Sequence, residues 1–156
     1  MHSPRYALAL KVPPPIYLLS FGALMWVLCH SAPLYQWAIP TRNLGFLIVA
    51  VGFLLDVTAV VVFFRERTTV SPLQPEKTAV LITNGPYRFS RNPMYAGMFI
   101  MLTGWSLSLQ CVSSVIALPL FVLLINKMQI EPEERVLNDK FGETYERYCQ
   151  QVRRWV

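Results

Sequence analysis

Long stretches without charge constrain this chain more than any other feature of its sequence. Residues 12–41 contain no acid or base except His30, residues 43–64 contain only Asp56, and residues 92–126 contain none. A helix needs about 20 mostly apolar residues to cross the hydrocarbon core of a bilayer. We therefore expect most of this chain to lie in a membrane.

The third stretch is too long for a single crossing. As one helix it would rise about 52 Å, whereas the hydrocarbon core is about 30 Å thick. We predict instead a helical hairpin with its turn at 110–114. The predicted fold is an all-α integral membrane protein, one domain over 1–156, with about four transmembrane helices at 13–30, 43–64, 95–109 and 115–127.

The charged residues predict the orientation of these helices. Thirteen of the 14 Lys and Arg residues precede the first span, lie in the segment 65–92 or follow the fourth span. Basic residues concentrate on the cytoplasmic side of membrane proteins, so we expect both termini and the segments 65–92 and 128–156 to be cytoplasmic. In a bacterium this would be the inner membrane. The flanking bases also explain the net charge of +5 without a nucleic-acid partner.

The third span begins with a strong helix-start signal, which allows two interpretations. Asn92 is a favourable N-cap and Pro93 suits the first helical position. The simpler interpretation is a helix start at the membrane surface, with two tyrosines in the interfacial aromatic belt. The alternative is an anion site, because the free N–H groups of a helix start favour negative ligands. The surrounding side chains are Tyr87, Arg88, Arg91 and Tyr95.

Acids cluster where the fourth span leaves the membrane. Glu131, Glu133 and Glu134 lie within four positions, and their mutual repulsion is better tolerated if a cation binds between them. An amphipathic cytoplasmic helix follows, interrupted near Gly142. It could simply lie on the lipid headgroups. Its apolar positions are Leu137, Phe141, Tyr145, Tyr148, Val152 and Trp155.

Asp56 and the cysteines are the remaining candidates. Intramembrane acids are functional by default, but Asp56 could equally pair with Arg65 or a hydroxyl, so both interpretations carry the same weight. Cys29 and Cys111 lie near the outer face, where free buried thiols are favoured over a disulfide. The cysteines show no metal-ligand spacing, so we expect no metal site.

Five short motifs in a fixed order resemble the isoprenylcysteine carboxyl methyltransferase family, to which the phospholipid methyltransferases are related. The resemblance covers about 68–154 and is to short, bacterial-type members. The motifs are LITNGPY (81–87), RNPMYAG (91–97), EE (133–134), FGETY (141–145) and Tyr148.

The resemblance implies a membrane enzyme that uses S-adenosylmethionine without a Rossmann domain. Glu134 would lie just behind the cofactor pocket, and with Gln129 and Arg91 it is a candidate on the substrate side. The catalytic residue is not indicated. The residues that would line the cofactor pocket are Leu81, Ile82, Tyr87, Asn92, Pro93, Met94, Tyr95 and Glu133.

Two positions depart from the family pattern. The family usually has His where this chain has Asn92, and an amide can orient a ligand but cannot carry charge. The eukaryotic enzymes place a substrate-binding Arg just before the acids. Gln129 stands there in this chain, with Lys127 two residues earlier, and neither side chain reproduces the fork of a guanidinium.

Three functions follow as expectations. The first is S-adenosylmethionine-dependent carboxyl O-methylation of a prenylcysteine-like, lipophilic acceptor that reaches the site from the lipid bilayer. The alternative is N-methylation of a phospholipid such as phosphatidylethanolamine, which needs a base, with Glu134 or Asp56 as candidates. The third is a non-catalytic membrane scaffold. Nothing in the sequence indicates an oligomeric state.

Overall fold

The computed structural model describes residues 12–36, 39–65 and 80–156. The predicted N-terminal cytoplasmic segment, residues 1–11, and half of the linker 65–92 therefore lie outside the described residues. Within the described ranges all regular secondary structure is helical, apart from one isolated pairing of Gln36 with Cys111. The all-α class is confirmed. The helices are α1 (Pro14–Ser31), α2 (Arg42–Arg65), α3 (Pro93–Leu109), α4 (Val112–Phe141) and α5 (Glu143–Gln151), with a 3-10 turn at Gly85–Arg88 before α3.

Three of these helices, α1, α2 and α4, are long and apolar enough to cross a membrane. The apolar window of α2 is only 17% buried, so most of its surface is left for lipid. The 17-residue helix α3 forms a hairpin with α4, and the count of four spans stays a prediction. The hairpin turn is shorter than predicted, because Gln110 adopts a left-handed conformation (φ 55°) and α4 begins at Val112.

Helix α4 runs far beyond the predicted end of the fourth span at residue 127. Its 30 residues rise about 45 Å, which exceeds a hydrocarbon core of about 30 Å. The apolar part ends at Ile125, and a wide π turn follows at Asn126–Ile130. The charged end, from Lys127 onward, is still predicted to lie outside the hydrocarbon. Gly142 (φ 49°) then separates α4 from α5, at the predicted break.

Helix α3 lies at the centre of the bundle and packs backbone to backbone against α2. A Cβ atom added at Gly52 would lie 2.7 Å from the carbonyl oxygen of Gly97. One added at Gly104 would lie 2.5 Å from the carbonyl oxygen of Gly45. Small residues allow such close approach of helices in membranes. The glycines thus hold the start of α3 in a fixed position against α2.

Replacing Gly104 by Ala is expected to destabilise the bundle by about 1–3 kcal/mol, because overpacking forces the two backbones apart. Gly22 in α1 is the matched control, since an added Cβ there meets nothing within 4 Å. Gly22→Ala should be neutral or stabilising by up to about 1 kcal/mol. Thermal unfolding of both variants in the same detergent measures the difference. Equal melting temperatures would contradict the close contact.

The loop after α1 covers the tip of the hairpin. The backbone N–H of Val112 donates to the carbonyl of Tyr35 (3.0 Å), and the N–H of Leu34 donates to Oγ of Ser113 (2.8 Å). Cys29 and Cys111 meet beside this contact as buried free thiols. These polar contacts satisfy backbone groups at the end of the bundle opposite the acid cluster.

Candidate functional site

The start of α3 is where the sequence predicts it, but Asn92 does not act as a side-chain cap. Its carbonyl accepts the first helical hydrogen bond, from Ala96 (3.0 Å). Its side-chain Nδ2 instead donates to the carbonyl oxygen of Arg154 (2.9 Å), and its backbone N–H donates to Oγ of Ser90 (3.1 Å). The amide therefore ties the helix start to the C-terminal segment.

The acids Glu133 and Glu134, adjacent in sequence, have opposite environments. Glu134 accepts two hydrogen bonds from the guanidinium of Arg154 (3.1 and 2.6 Å) and forms an ion pair with Arg91 (3.3 Å). Glu133 accepts one hydrogen bond from the phenol of Tyr95 (3.2 Å) and forms no ion pair with any residue that the structure describes. The protein's own cations thus neutralise Glu134, whereas Glu133 is left with a neutral partner.

The pKa values of the groups around the two acids reflect these different environments. Burial raises the pKa of the Glu133 carboxyl to about 7. The hydrogen bonds that the Arg154 guanidinium donates to Glu134 raise the pKa of that guanidinium. Burial also raises the pKa of the Tyr87 phenol, and the negative charge of Glu133 raises it further. A cation placed beside Glu133 would favour the ionised carboxylate and offset the free-energy cost of burying its charge.

A small cavity brings the predicted site residues together. Its volume is about 50 Å³, and a larger cavity of about 370 Å³ adjoins it, with Leu81 and Tyr148 lining both. Five of the eight predicted cofactor residues line the small cavity, as do both acids of the pair. Its lining residues are Leu81, Ile82, Tyr87, Arg91, Asn92, Glu133, Glu134, Leu137, Tyr145 and Tyr148.

The other predicted residues lie behind this lining or away from it. Pro93 is fully buried, and Met94 packs against Ile82 and Tyr87. Gln129 is fully buried against α1 rather than in the cavity lining, and its Nε2 donates to the carbonyl of Val12 (3.1 Å). A substrate-side role for Gln129 stays a prediction, and the cavity lining does not include it.

Several lining residues were not predicted as site residues. Leu137, Tyr145 and Tyr148 belong to the amphipathic pattern, but that pattern does not say whether its apolar face meets lipid or protein. In the structure this face packs against the protein, and Tyr145 and Tyr148 are only 4% and 7% exposed. The phenol of Tyr148 donates to the carbonyl of Tyr87 (2.7 Å). The larger cavity adds Thr83, Arg88, Thr144, Arg147, Gln151 and Val152.

The residues after α5 form what we call the C-terminal strap (152–156). The carbonyl of Arg153 accepts a hydrogen bond from the backbone N–H of Arg91 (2.9 Å). The indole N–H of Trp155 donates to Oδ1 of Asn126 (3.1 Å), and its ring packs edge-on against Phe99. The strap therefore connects the loop before α3, the π turn of α4 and, through Arg154, the acid pair.

A comparison with protein families identifies the family to which this chain belongs. Residues 40–144 match the model of the phospholipid methyltransferase family. The chain belongs to the phospholipid methyltransferase family. The match includes α2, α3, the acid pair and Gly142, and so covers most of the elements that build the cavity.

Named relatives and a solved structure place this family member near the isoprenylcysteine enzymes. A probable protein-S-isoprenylcysteine O-methyltransferase of Oryza sativa subsp. indica is 34% identical over 108 residues, which are 69% of this chain and 56% of the relative. Protein-S-isoprenylcysteine O-methyltransferase B of Arabidopsis thaliana is 31% identical over 110 residues, 70% of this chain and 56% of the relative. An uncharacterized protein of Haemophilus influenzae is 41% identical over 63 residues, 40% of this chain and all of the relative.

The structural likeness agrees with these matches. The eukaryotic intramembrane Ras methyltransferase ICMT has a TM-score of 0.68 and 25% identity, and covers 100% of this chain but 53% of its own. The family resemblance drawn from the motifs is thus confirmed, and the chain is an integral membrane protein. This phospholipid methyltransferase family member spans about half the length of the isoprenylcysteine methyltransferases it matches.

Proposed function

We propose that this chain is an S-adenosylmethionine-dependent methyltransferase that methylates the carboxylate of a lipophilic, prenylcysteine-like acceptor. The observation that carries the proposal is Glu133, a partly buried carboxylate without an ion pair among the described residues, in the wall of a cavity at the start of α3. The names of the isoprenylcysteine relatives support the choice of acceptor.

The residues present fit the cofactor. Glu133 offers the negative partner that a sulfonium or an ammonium requires, and the tyrosine rings beside it suit cation–π attraction. The small cavity alone is too small for the whole molecule, so we assign the adjoining cavity, with its two arginines, to the rest of it. The residues that would hold the cofactor are Leu81, Ile82, Tyr87, Asn92, Pro93, Met94, Tyr95 and Glu133.

The chemistry asks little of the protein beyond alignment. S-adenosylmethionine supplies an electrophilic methyl carbon, and when the acceptor oxygen bonds to it the carbon–sulfur bond breaks and its electron pair stays on sulfur. A carboxylate acceptor is already ionised at neutral pH, so no general base is needed. The side chains of this site then contribute by orienting the reactants and excluding water.

Phospholipid N-methylation is the second candidate, and the family model favours it. An amine acceptor must lose a proton, which requires a base. Glu134 is a poor base because two arginines already occupy its carboxylate oxygens through short contacts. Asp56 is then the remaining candidate of the two that the sequence indicates.

We also propose that both termini and the cavity face the cytoplasm. The support is the distribution of Lys and Arg, of which only Arg42 lies on the opposite side of the predicted layout. A reporter fused at Gln110 should accordingly read as external.

Two measurements on the detergent-purified chain test the function. Calorimetry should show saturable binding of S-adenosylmethionine and S-adenosylhomocysteine. Transfer of a labelled methyl group should occur to N-acetyl-S-farnesylcysteine, and the product should be a base-labile ester. A base-stable label on phosphatidylethanolamine would favour the second candidate. Absence of both binding and transfer in a folded sample would leave the non-catalytic scaffold.

Cofactor affinity should also depend on pH through Glu133. Burial raises the pKa of its carboxyl to about 7. Only the ionised carboxylate attracts a cation, and below pH 7 most of the carboxyl is protonated. Affinity should be highest above pH 7 and fall by up to tenfold per unit below it. Dissociation constants between pH 6 and 8.5 measure this slope. The variant Glu133→Gln removes the acid and isolates the ligand's own titration, so equal slopes in both proteins would contradict the assignment.

A further inference from the structure

Asp56 is the one acid of α2, and nothing in the described part of the chain binds its carboxyl. It lies nine residues before Arg65, about 13 Å from that end of the helix. Its Oδ1 atom is buried without a hydrogen-bond partner among the described residues. A polar group in the hydrocarbon region is costly unless it is paired, so an unpaired carboxyl here requires an explanation.

The surface of α2 that carries Asp56 is the one that packs against the site. Ala59 and Val62 follow at helical spacing and contact Ile82 and Tyr87, which line or border the small cavity. Asp56 lies one turn further into the bilayer on the same surface. It therefore lies on the membrane side of the cavity.

Gly97 leaves room for the carboxyl at this place. A Cβ atom at position 97 would overlap Oδ1 of Asp56. Glycine has no side chain, so it leaves space for the carboxyl and offers no side-chain donor that would neutralise it. The Tyr87 phenol is close enough to both Asp56 and Glu133 that each negative charge raises its pKa. Asp56 thus belongs to the electrostatic surroundings of the same site.

We propose that Asp56 anchors the acceptor by accepting a hydrogen bond from an N–H group next to the group that is methylated. This inference rests on the proposed function. A membrane-borne acceptor must approach from the side on which Asp56 lies. A cysteine-derived acceptor carries an amide or ammonium N–H on the carbon beside its carboxylate, and an ethanolamine headgroup carries an ammonium.

The same charge also orients the acceptor. Asp56 attracts the N–H group and repels the carboxylate beside it. The carboxylate is thereby directed away from Asp56, toward the cavity wall that contains Glu133, where the methyl donor would bind. Asp56 is a specificity-determining residue in this arrangement, and it takes part in no bond that forms or breaks.

The test compares two acceptors that differ in nitrogen alone. N-acetyl-S-farnesylcysteine carries the amide N–H, whereas S-farnesylthiopropionate is the corresponding acid without it. We expect the wild-type chain to prefer the first by about tenfold to hundredfold in kcat/KM, the range for a hydrogen bond to a charged group. In Asp56→Ala the two acceptors should become equivalent, and Asp56→Asn, which can accept without charge, should be intermediate.

Controls separate this role from damage to the fold. The dissociation constant of S-adenosylmethionine should stay within about twofold in Asp56→Ala, since Glu133 and not Asp56 is the proposed partner of the cofactor's charge. Thr58→Ala, a change of an exposed polar residue two positions along α2, should keep the wild-type preference. A wild-type chain without preference, or an Asp56→Ala variant that retains it, overturns the inference.

Failure of the proposed function gives a different result. Transfer to phosphatidylethanolamine in place of both acids overturns the carboxyl reaction, and it overturns the anchoring role as well, because Asp56 would then be the candidate base for the amine. No transfer to any of the three acceptors overturns the proposed function and this inference with it.

Discussion

Replacing Glu133 by glutamine is expected to weaken S-adenosylmethionine binding by roughly tenfold to hundredfold. Glutamine keeps the shape of the side chain and can still accept the hydrogen bond from Tyr95. Only the negative charge is lost, and hydrogen bonds or contacts to charged groups contribute about 1.5–3 kcal/mol. Calorimetry with the purified chain gives the dissociation constants. Methyl transfer at limiting cofactor should fall by the same factor.

The ligand pair and a control variant sharpen this test. S-adenosylhomocysteine lacks the sulfonium charge, so its affinity should fall less than that of S-adenosylmethionine if Glu133 faces the sulfur. Glu146 is an acid on the exposed surface of α5, and Glu146→Gln should bind both ligands as the wild type does. Equal losses in the two Gln variants would show that a general change of charge, not the site, is responsible.

Replacing Arg154 by alanine is expected to raise the cofactor dissociation constant by roughly tenfold and to lower the melting temperature. The two hydrogen bonds to Glu134 are lost, and Glu134 keeps only Arg91 as an ionic partner. Glu134 is then free to compete with Glu133 for a cation in the cavity, and the strap loses its side-chain attachment. Calorimetry and thermal unfolding measure the two effects.

The adjacent Arg153 provides a matched control for this variant. Its side chain is exposed and makes no contact recorded within the described part of the chain, whereas its carbonyl holds Arg91 whatever the side chain is. Arg153→Ala should therefore leave affinity and stability nearly unchanged. In a double-mutant cycle, Arg154→Ala should cost little in a chain that already carries Glu134→Ala. Additive effects would contradict a direct interaction.

Local signals in the sequence were sufficient for the elements around the site. Pro93 predicted the start of α3, and Gly142 predicted the break before α5, because each acts through the backbone of its own segment. Asn92 marked the same helix start, but its side chain bonds to Arg154 instead of capping the helix. The uncharged stretches predicted an all-helical membrane protein because the length and apolar character of a segment are local properties of the sequence. Helix ends were less predictable: α4 continues past residue 127 although Pro132, a residue that usually ends a helix, lies in the segment that follows.

The difference between the two acids could not be predicted from the sequence. Glu133 and Glu134 are identical in type and adjacent, and they differ only because Arg154 and Arg91 reach one and not the other. Those partners lie 20 and 43 positions away along the chain. Likewise the aromatic pattern of α5 predicted an apolar surface, but only tertiary packing decides that Tyr145 lines a cavity rather than meeting lipid.

The wide turn at Asn126–Ile130 sets the rotational phase of everything that follows it in α4. A π turn holds one residue more than an α turn, and each residue rotates a helix by about 100°. The side chains after Ile130 are thus rotated by about 100° relative to an uninterrupted α-helix from Val112. With this rotation, Glu133 faces the cavity. A relative one residue shorter in this turn would present a different side chain of the acid cluster to the same pocket.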